Sequence, residues 1–392
     1  PEIIHILEEN RIKPTDETFE ECLKESIICH HNELINYFED NYCENADKNK
    51  IIYQSIKSCN FIYLFNRINN KSLSFYDLES IENKLNDCGW SMSHYLSSYG
   101  YFEIVEFLIK NTDINVNYKE YGEGNALIVA VKNEEIDLIK LLLLNKELRF
   151  DIKYKLSIPL NKAVLKNNAE IVKLLVNHKN IDVNLISYSN GHRESALITA
   201  IRNNYIDILK LLLNHQSIDV NQKLLKYNGE KDVMEPKETP LMVAIQNENI
   251  EIIKLLLEHK NIDVNIKMHI KKKYSWLNEE TSALNMAIEK GNIEIIKLLL
   301  SHNDIKNSQP NKDSHGETAL NIAVEKGNIE IIKLLLDNPK IDPNAKSIFY
   351  NEEKTSLMLA IEKNNIEIIK LLLNHPNIDI NPQPNDSFIG YT

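Results

Sequence analysis

Five histidines occupy equivalent places in a recurring sequence pattern, and they have the greatest capacity for chemistry in the chain. They are His178, His215, His259, His302 and His375. Imidazole can bind zinc or change its charge near neutral pH. If the pattern is a stack of helices, equivalent side chains are about 8–10 Å apart, too far to share a zinc ion at ~2.1 Å. We therefore interpret these residues as structural, each near a helix C-terminus, donating to free carbonyls and interacting with the helix dipole.

A second group of potential metal ligands lies near the N-terminus. It consists of Cys22, Cys29, His30, His31 and Cys43. Their spacing fits no zinc-finger pattern, and cysteines on a helical face more often pack in a core than bind metal. We predict no metal site and no cofactor. All five cysteines of the chain lie in its first quarter without a CxxC pair, so we expect reduced thiols and an intracellular location.

The common catalytic and nucleotide-binding motifs are missing from the sequence. It contains no HExxH, Walker A, GxGxxG, GxSxG or calcium-loop pattern, and only 10 glycines. The carboxylates that do recur, Glu294, Glu330 and Glu367, each precede a lysine by three residues. This spacing suits ion pairs within one exposed helix. We predict that the protein is not an enzyme.

The chain is acidic overall. Its 392 residues carry 45 Lys+Arg against 57 Asp+Glu, a net charge of −12. Nucleic acids and anionic membranes require a cationic surface, so neither is an expected partner. The composition is 43% hydrophobic, enough to bury a core, yet no run approaches the ~18 apolar residues needed to span a bilayer. We expect a cytoplasmic protein, with cytoskeletal association as one option.

An internal repeat, which must position any functional side chains, makes up most of the chain. The segment at 287–300, Ala-Ile-Glu-Lys-Gly-Asn-Ile-Glu-Ile-Ile-Lys-Leu-Leu-Leu, recurs almost unchanged at 323–336. Seven copies are marked by Ala130, Ala163, Ala200, Ala244, Ala287, Ala323 and Ala360, and a degenerate copy centred on Leu96 precedes them. Each copy predicts a short apolar helix, a two-residue break, a second helix and a variable loop.

The copy at 318–344 shows why one repeat cannot fold alone. Thr318 is placed to cap the first helix, and the small Ala323 allows close approach of neighbouring helices. The second helix, from Ile329 to Leu336, is too apolar all round for a lone surface helix. We expect it to be covered by the repeats before and after it.

These repeats resemble the ankyrin repeat. The best matches to its signature are Thr239-Pro240-Leu241-Met242-Val243-Ala244, Leu255-Leu256-Leu257-Glu258-His259 and Asp263-Val264-Asn265, and similar strings tile about residues 89–392. The resemblance implies an all-α solenoid of helix-turn-helix units with projecting β-hairpin loops. It also implies a concave face that binds proteins.

The repeats depart from the ankyrin signature at two places. Only His94 matches the signature histidine, and the other copies have Ile128, Asn161, Ile198, Met242, Asn285, Asn321 and Met358 there. After the second helix, Asn180, Asn261 and Asn377 replace the usual glycine. We expect these three asparagines to take the left-handed conformation that glycine takes.

We predict two domains. Residues 1–88 form a helical module of degenerate ankyrin-like helix pairs that closes one end of the stack. Residues 89–392 form an array of about eight units, at 89–120, 121–154, 155–189, 190–230, 231–275, 276–312, 313–348 and 349–384. Because Thr392 follows Thr355 by the usual 37 residues, we expect the array to continue beyond 392, or its end to stack on another chain.

Aromatic and basic residues in the variable loops, called fingers below, are the candidate partner-binding residues. They are Tyr118, Tyr121, Tyr188, Tyr227, Lys271, Lys272, Lys273, Tyr274, Trp276, Phe349 and Tyr350. Exposed aromatic side chains dominate many protein interfaces. The finger with three consecutive lysines could clamp an acidic or phosphorylated segment. Alternatively, successive fingers pair with one another, so that these rings are buried in an extended sheet.

The function that we predict is non-catalytic protein–protein recognition by a scaffold or adaptor. It would bind a protein partner through the fingers and the concave face of the array. Two alternatives stay open. The chain could be a structural component of a larger cytoskeletal or ciliary assembly, or the targeting arm of a multidomain enzyme whose catalytic domain lies outside this segment.

Overall fold

The structure is a computed structural model, and the chain divides into two compact units, Pro1–Arg149 and Phe150–Thr392. The residues that the structure describes are 9, 16–29, 31–42, 55, 117, 125–145, 148, 159–189, 192–228, 233–271, 278–305, 315–349 and 352–381. The predicted boundary between residues 88 and 89 falls outside them, so the predicted domain division stays a prediction.

The first unit contains two described helix pairs. Helices α1 (Asp16–Ile28) and α2 (Asn32–Tyr42) pack on each other and bury Leu23, Ile27, Ile35 and Phe38. Helices α3 (Ala126–Asn133) and α4 (Ile136–Leu144) form the second pair. Each pair buries an apolar stripe at helical spacing, which is the stabilisation that short helices need.

The described residues of the second unit form six helix pairs in register with the sequence repeat. They are α5 (Pro159–Leu165) and α6 (Ala169–Val176), α7 (Ala196–Arg202) and α8 (Ile206–Leu213), α9 (Pro240–Gln246) and α10 (Ile250–Leu257), α11 (Ala283–Lys290) and α12 (Ile293–Ser301), α13 (Ala319–Lys326) and α14 (Ile329–Leu336), and α15 (Ser356–Glu362) and α16 (Ile366–Leu373). The first helix of each pair packs on the first helix of the next pair throughout. Second helices also pack on each other, in the pairs α6–α8, α10–α12 and α12–α14. This confirms the all-α solenoid.

Local sequence explains where these helices begin. Thr318 has extended backbone angles, and its side chain accepts from the amide of Asn321, which confirms the predicted N-cap. Ser195, Thr239, Ser282 and Thr355 cap four of the other first helices of the stack in the same way. Each cap satisfies an amide that would otherwise have no partner inside the helix.

The break between the two helices of a pair, and not the end of the second helix, takes the left-handed conformation. Positive φ angles occur at Glu134, Asn167, Asn204, Glu248, Gly291, Gly327 and Asn364, all at this break. The prediction for Asn180, Asn261 and Asn377 is therefore wrong. Instead, the backbone amide of each of these asparagines donates to Nδ1 of the histidine two residues earlier. This turn needs no residue in the left-handed conformation.

The fingers of the second unit form two sheets. The first has the order β1 (Ile186–Ser189), β2 (His192–Ser195), β3 (Leu224–Asn228) and β4 (Val233–Glu238). The second has the order β5 (Lys267–Lys271), β6 (Asn278–Ser282), β7 (His315–Gly316), β8 (Ser347–Phe349) and β9 (Glu352–Lys354). All pairings are antiparallel except β6 with β7, which is parallel.

None of the helices in the described ranges has both the length and the apolar character that a bilayer span requires.

Candidate functional site

The structure places four of the eleven predicted finger residues in hairpin strands. Tyr188 lies in β1, Tyr227 in β3, Lys271 in β5 and Phe349 in β8. The residues opposite them in the paired strands are Arg193, Met234, Asn278 and Glu352, respectively. The other seven, Tyr118, Tyr121, Lys272, Lys273, Tyr274, Trp276 and Tyr350, lie outside the described residues.

Neighbouring fingers are joined by backbone pairing. Arg193 of one finger pairs with Leu225 of the next, and Gly316 pairs with Ile348. Tyr188 and Tyr227 therefore belong to fingers of one sheet, and Lys271 and Phe349 to fingers of the other. In these strands, successive fingers therefore pair with one another through their backbones, as the alternative interpretation of the sequence proposed.

Ion pairs fix the bases of the fingers to the helices. Arg202 of α7 lies between two finger carboxylates, with its Nε 2.9 Å from Glu194 and its Nη2 3.7 Å from Glu238. Glu194 is only 7% exposed, so this pair is shielded from solvent. In the last described finger, the Lys354 ammonium lies 3.0 Å from Glu362 of α15.

Buried asparagines at the signature-histidine position link successive repeats. The side-chain amides of Asn161 and Asn285 donate to the carbonyls of Glu194 and Glu317, at 2.9 and 2.8 Å. Asn321, which is 0% exposed, donates to the Lys354 carbonyl and to Ser347 Oγ. Each acceptor carbonyl lies just before the cap of the next first helix. The sequence identified this position as unusual but did not reveal this link.

The five histidines have a structural role, but not the one that the sequence suggested. Each ring accepts through Nδ1 from the backbone amide two residues later, at 3.2 to 3.3 Å. Asn338 occupies the same place in its repeat and accepts from the Lys340 amide through Oδ1. The requirement at this position is therefore an acceptor that closes a turn, and the prediction that the ring donates to free carbonyls is wrong.

A ladder of asparagines connects the turns of successive repeats. Asn221 donates to the Asn261 carbonyl at 2.7 Å and accepts from the Asp263 amide at 2.9 Å. Asn344 makes the same two bonds to Asn377 and Asp379, both at 2.7 Å. Each asparagine thus holds one carbonyl and one amide of the next repeat, which fixes the register between repeats.

The last helix pair exposes apolar side chains on a surface that we call the end face. Its residues are Met358, Ile361, Ile366, Leu373 and Ile380. Ile361 is 58% exposed, whereas Val324, the equivalent residue 37 positions earlier, is 0% exposed. Helix α15 packs against α13 and covers Val324. The end face therefore continues an interface that is occupied between the preceding repeats.

Two glutamates at this recurring surface position, Glu251 and Glu294, pair between helices. Glu251 lies 3.4 Å from Lys210 of the preceding repeat, and Glu294 lies 4.0 Å from Lys254. The predicted pairs within one helix are not among the ion pairs of the described residues. In the same part of the chain, no cluster of His, Cys, Asp and Glu has a geometry that could hold a metal ion.

One carboxylate is perturbed by such a contact between repeats. Glu248, at the break between α9 and α10, accepts from Lys290 Nζ at 3.0 Å and from Asn292 Nδ2 at 3.1 Å. These two hydrogen bonds and the Lys290 charge lower the pKa of the Glu248 carboxyl. A glutamate in the left-handed conformation therefore gains a bond to the next repeat that glycine could not make.

Individual relatives of the chain cover limited parts of it or differ widely in sequence. The human transient receptor potential cation channel subfamily A member 1 is 33% identical over 96 residues, which is 24% of this chain and 8% of that protein. The crystal structure of the ankyrin repeat domain of Bcl-3 is 23% identical, covers 62% of this chain and 97% of that one, and has a TM-score of 0.48. The crystal structure of the ankyrin repeat protein EF0377 is also 23% identical, covers 53% of this chain and 96% of that one, and has a TM-score of 0.41.

Family models match most of the repeat array. A model described as ankyrin repeats matches residues 67–155, 150–224 and 266–347, and single ankyrin-repeat models match residues 237–269 and 352–381. These matches coincide with the helix pairs, the N-caps and the paired fingers described above. The chain belongs to the ankyrin repeat family.

Proposed function

We propose that the protein is a non-catalytic scaffold that recognises protein partners through its fingers, the concave face of its array and its end face. Ankyrin repeats generally mediate protein–protein interactions. The observation that carries the proposal is the end face, because its apolar side chains are exposed where the stack otherwise buries them. Contiguous exposed apolar surface is typical of protein-binding sites.

The occupant that fits the end face is another helix pair of the same repeat type, either in a continuation of the array or in another chain. Asn381 supports this choice. Its amide donates to Asp379 Oδ1 at 2.8 Å, just as the Asn344 amide donates to Asp342 at 2.9 Å. Asn381 is thus held ready to bind the turn of a following repeat, as Asn344 does. Among the described residues, none pairs with the Asn381 side chain.

The test of this proposal is site-specific photo-crosslinking in the native cell. A photo-crosslinking residue at Ile361 should yield crosslinks to an ankyrin-type helix pair, either in a continuation of the same chain or in another chain. The same residue at Lys333, on the exposed side of α14, serves as the control and should not yield them. Equal adducts at both positions, or adducts at Ile361 only with proteins that lack such repeats, would contradict the proposal.

The basic finger is a second part of the proposed surface. Lys271 lies at the end of β5, and Lys272, Lys273 and Trp276 follow it in the sequence. We propose that these residues bind an acidic or phosphorylated segment of the partner. Replacing all four with alanine should abolish pulldown of the native partners. The control for lost charge is a variant in which three lysines of the second helices, Lys297, Lys333 and Lys370, are replaced by alanine. Unchanged pulldown by the finger variant would remove this finger from the binding surface.

A structural component of a larger assembly is the second candidate function. The end face favours it, because stacking of chains end to end would build a filament or lattice. Affinity purification from the native cell distinguishes the two functions. Recovery of a stoichiometric set of cytoskeletal or ciliary proteins would support the structural role, and recovery of one dominant soluble partner would support the adaptor.

A further inference from the structure

A cleft of about 460 Å³ opens between α10 and α12, where these second helices end. Its walls include Leu257, His259 and Lys260 on one turn, and His302 and Asp304 on the next. The carbonyls at the C-terminus of a helix lack partners within the helix and carry its negative dipole end. The residues that line the cleft therefore include those whose carbonyls end α10.

The next junction of the array shows what such carbonyls bind. Between α12 and α14, the Lys340 ammonium donates to the carbonyls of His302 and Asn303, at 3.1 and 2.7 Å. Asn338 Nδ2 donates to the Leu300 carbonyl at 3.1 Å. An ammonium group of the chain itself thus occupies the carbonyls at the end of α12.

The two junctions have the same turn in the same register. The Ile262 amide donates to the His259 carbonyl at 3.0 Å, and the Ile305 amide donates to the His302 carbonyl at 3.2 Å. His302 accepts from the backbone amide of Asp304, and Asn338 accepts from the backbone amide of Lys340. Asp304 therefore occupies the position in its turn that Lys340 occupies in the next one. Where one junction supplies an ammonium group, the other supplies a carboxylate.

Among the described residues, the junction of α10 and α12 therefore has no ammonium group that corresponds to that of Lys340. Within the described ranges, no side chain donates to the carbonyls of Leu257, His259 or Lys260, which are equivalent to those of Leu300, His302 and Asn303. Of the two lysines in the lining, Lys254 lies 4.0 Å from Glu294, on the neighbouring helix, and Lys260 follows His259 in the sequence. The carboxylate of Asp304 adds negative charge at the place that Lys340 fills in the next junction.

We propose that the cleft between α10 and α12 is a binding site for a primary alkylammonium group. An ammonium group has three donors and no acceptor, which matches two or three carbonyls and a carboxylate. The group comes from a lysine side chain of a bound protein or from a free amine. The site is independent of the fingers and of the end face, so failure of either proposed interaction leaves it standing.

Amide chemical shifts of the isotope-labelled full chain test this site. The probes are n-butylammonium, a short peptide with one lysine, and the same peptide with that lysine acetylated. We expect the two amines to shift the amides of Ile262 and Asp304 with a dissociation constant of about 1–10 mM, the range for a few exposed charge-assisted bonds. The acetylated peptide should leave these amides unchanged. A preference for the peptide over butylammonium would identify protein lysine as the source.

Two variants make the test decisive. Asp304→Lys places a lysine where Lys340 lies in the next repeat, and it should fill the cleft and weaken probe binding at least about tenfold. Lys340→Met removes the internal ammonium, and it should create a second site at which the probe shifts the amides of Ile305 and Asn338. Wild-type amides at the cleft that do not respond to either amine would overturn the proposal. Equal binding by the wild type and Asp304→Lys would also overturn it.

Discussion

The asparagine ladder predicts that the same substitution has different effects at two equivalent positions. Asn344→Ala removes two hydrogen bonds to the next repeat, to the Asn377 carbonyl and the Asp379 amide. Each such bond contributes about 0.5–1.5 kcal/mol net. Because both bonds are exposed and water can replace the lost partner, we expect a loss of about 1–2 kcal/mol in the free energy of unfolding.

Asn381→Ala is the matched control. Asn381 has the same local turn, closed by Asp379 as that of Asn344 is closed by Asp342, so the backbone effects of the two substitutions should cancel. No described residue of a following repeat pairs with the Asn381 side chain, and we expect a change within about 0.5 kcal/mol.

Urea denaturation, followed by circular dichroism, measures both effects. Repeat arrays can unfold in more than one step, so the slope of each transition has to be compared along with its midpoint. Equal destabilisation by the two substitutions would show that the asparagines act within their own repeat. The reasoning about links between repeats would then be refuted.

Three further predictions concern single contacts. His259→Asn should preserve stability because the asparagine oxygen can accept from the Asn261 amide, whereas His259→Ala should lower the melting temperature; equal melting temperatures would contradict this. Asn321→Asp should destabilise the chain by about 2–4 kcal/mol, measured by urea denaturation, because it replaces a buried donor with an acceptor; an unchanged midpoint would contradict this. The lowered pKa of Glu248 stabilises the fold above the carboxyl's ordinary pKa, and this stabilisation is lost as the pH falls through the lowered value. Glu248→Gln should therefore flatten the stability profile as the pH falls below the ordinary pKa of a glutamate, and an unchanged profile would contradict the assignment.

The repeat architecture could be predicted from the sequence because its signals are local and recur many times. The apolar second helices, the caps such as Thr318 and the small alanines all have direct physical meanings in a helix pair. Recurrence then shows that neighbouring pairs must cover one another. The structure confirms each of these steps in the second unit.

The contacts between repeats were harder to predict because they depend on geometry that no single repeat contains. The acceptor role of His259 requires knowledge of where the next amide lies. The pairing of Glu294 with Lys254, and not with a lysine on its own helix, depends on the spacing of second helices. The parallel pairing of β6 with β7 joins residues more than thirty positions apart.

Parts of the candidate binding surface could likewise be predicted from the sequence, and other parts could not. Loop composition pointed to the fingers, and the structure places Tyr188, Tyr227, Lys271 and Phe349 in paired strands. The end face was anticipated only as the place where the array continues or stacks on another chain, since exposure depends on which neighbours are present. The cleft beside Asp304 has no sequence signal of its own, because its carbonyls belong to the backbone.

The central claim is that each helix pair is stable only when its neighbours cover it. Introducing lysine at Val324 and at the equivalent Ile361 tests the claim most directly, with the free energy of unfolding as the measured quantity. Val324 is 0% exposed under the next repeat and Ile361 is 58% exposed. We predict a loss of at least about 3 kcal/mol for Val324→Lys, and a change within about 0.5 kcal/mol for Ile361→Lys in the isolated chain. Similar effects at the two positions would contradict the account.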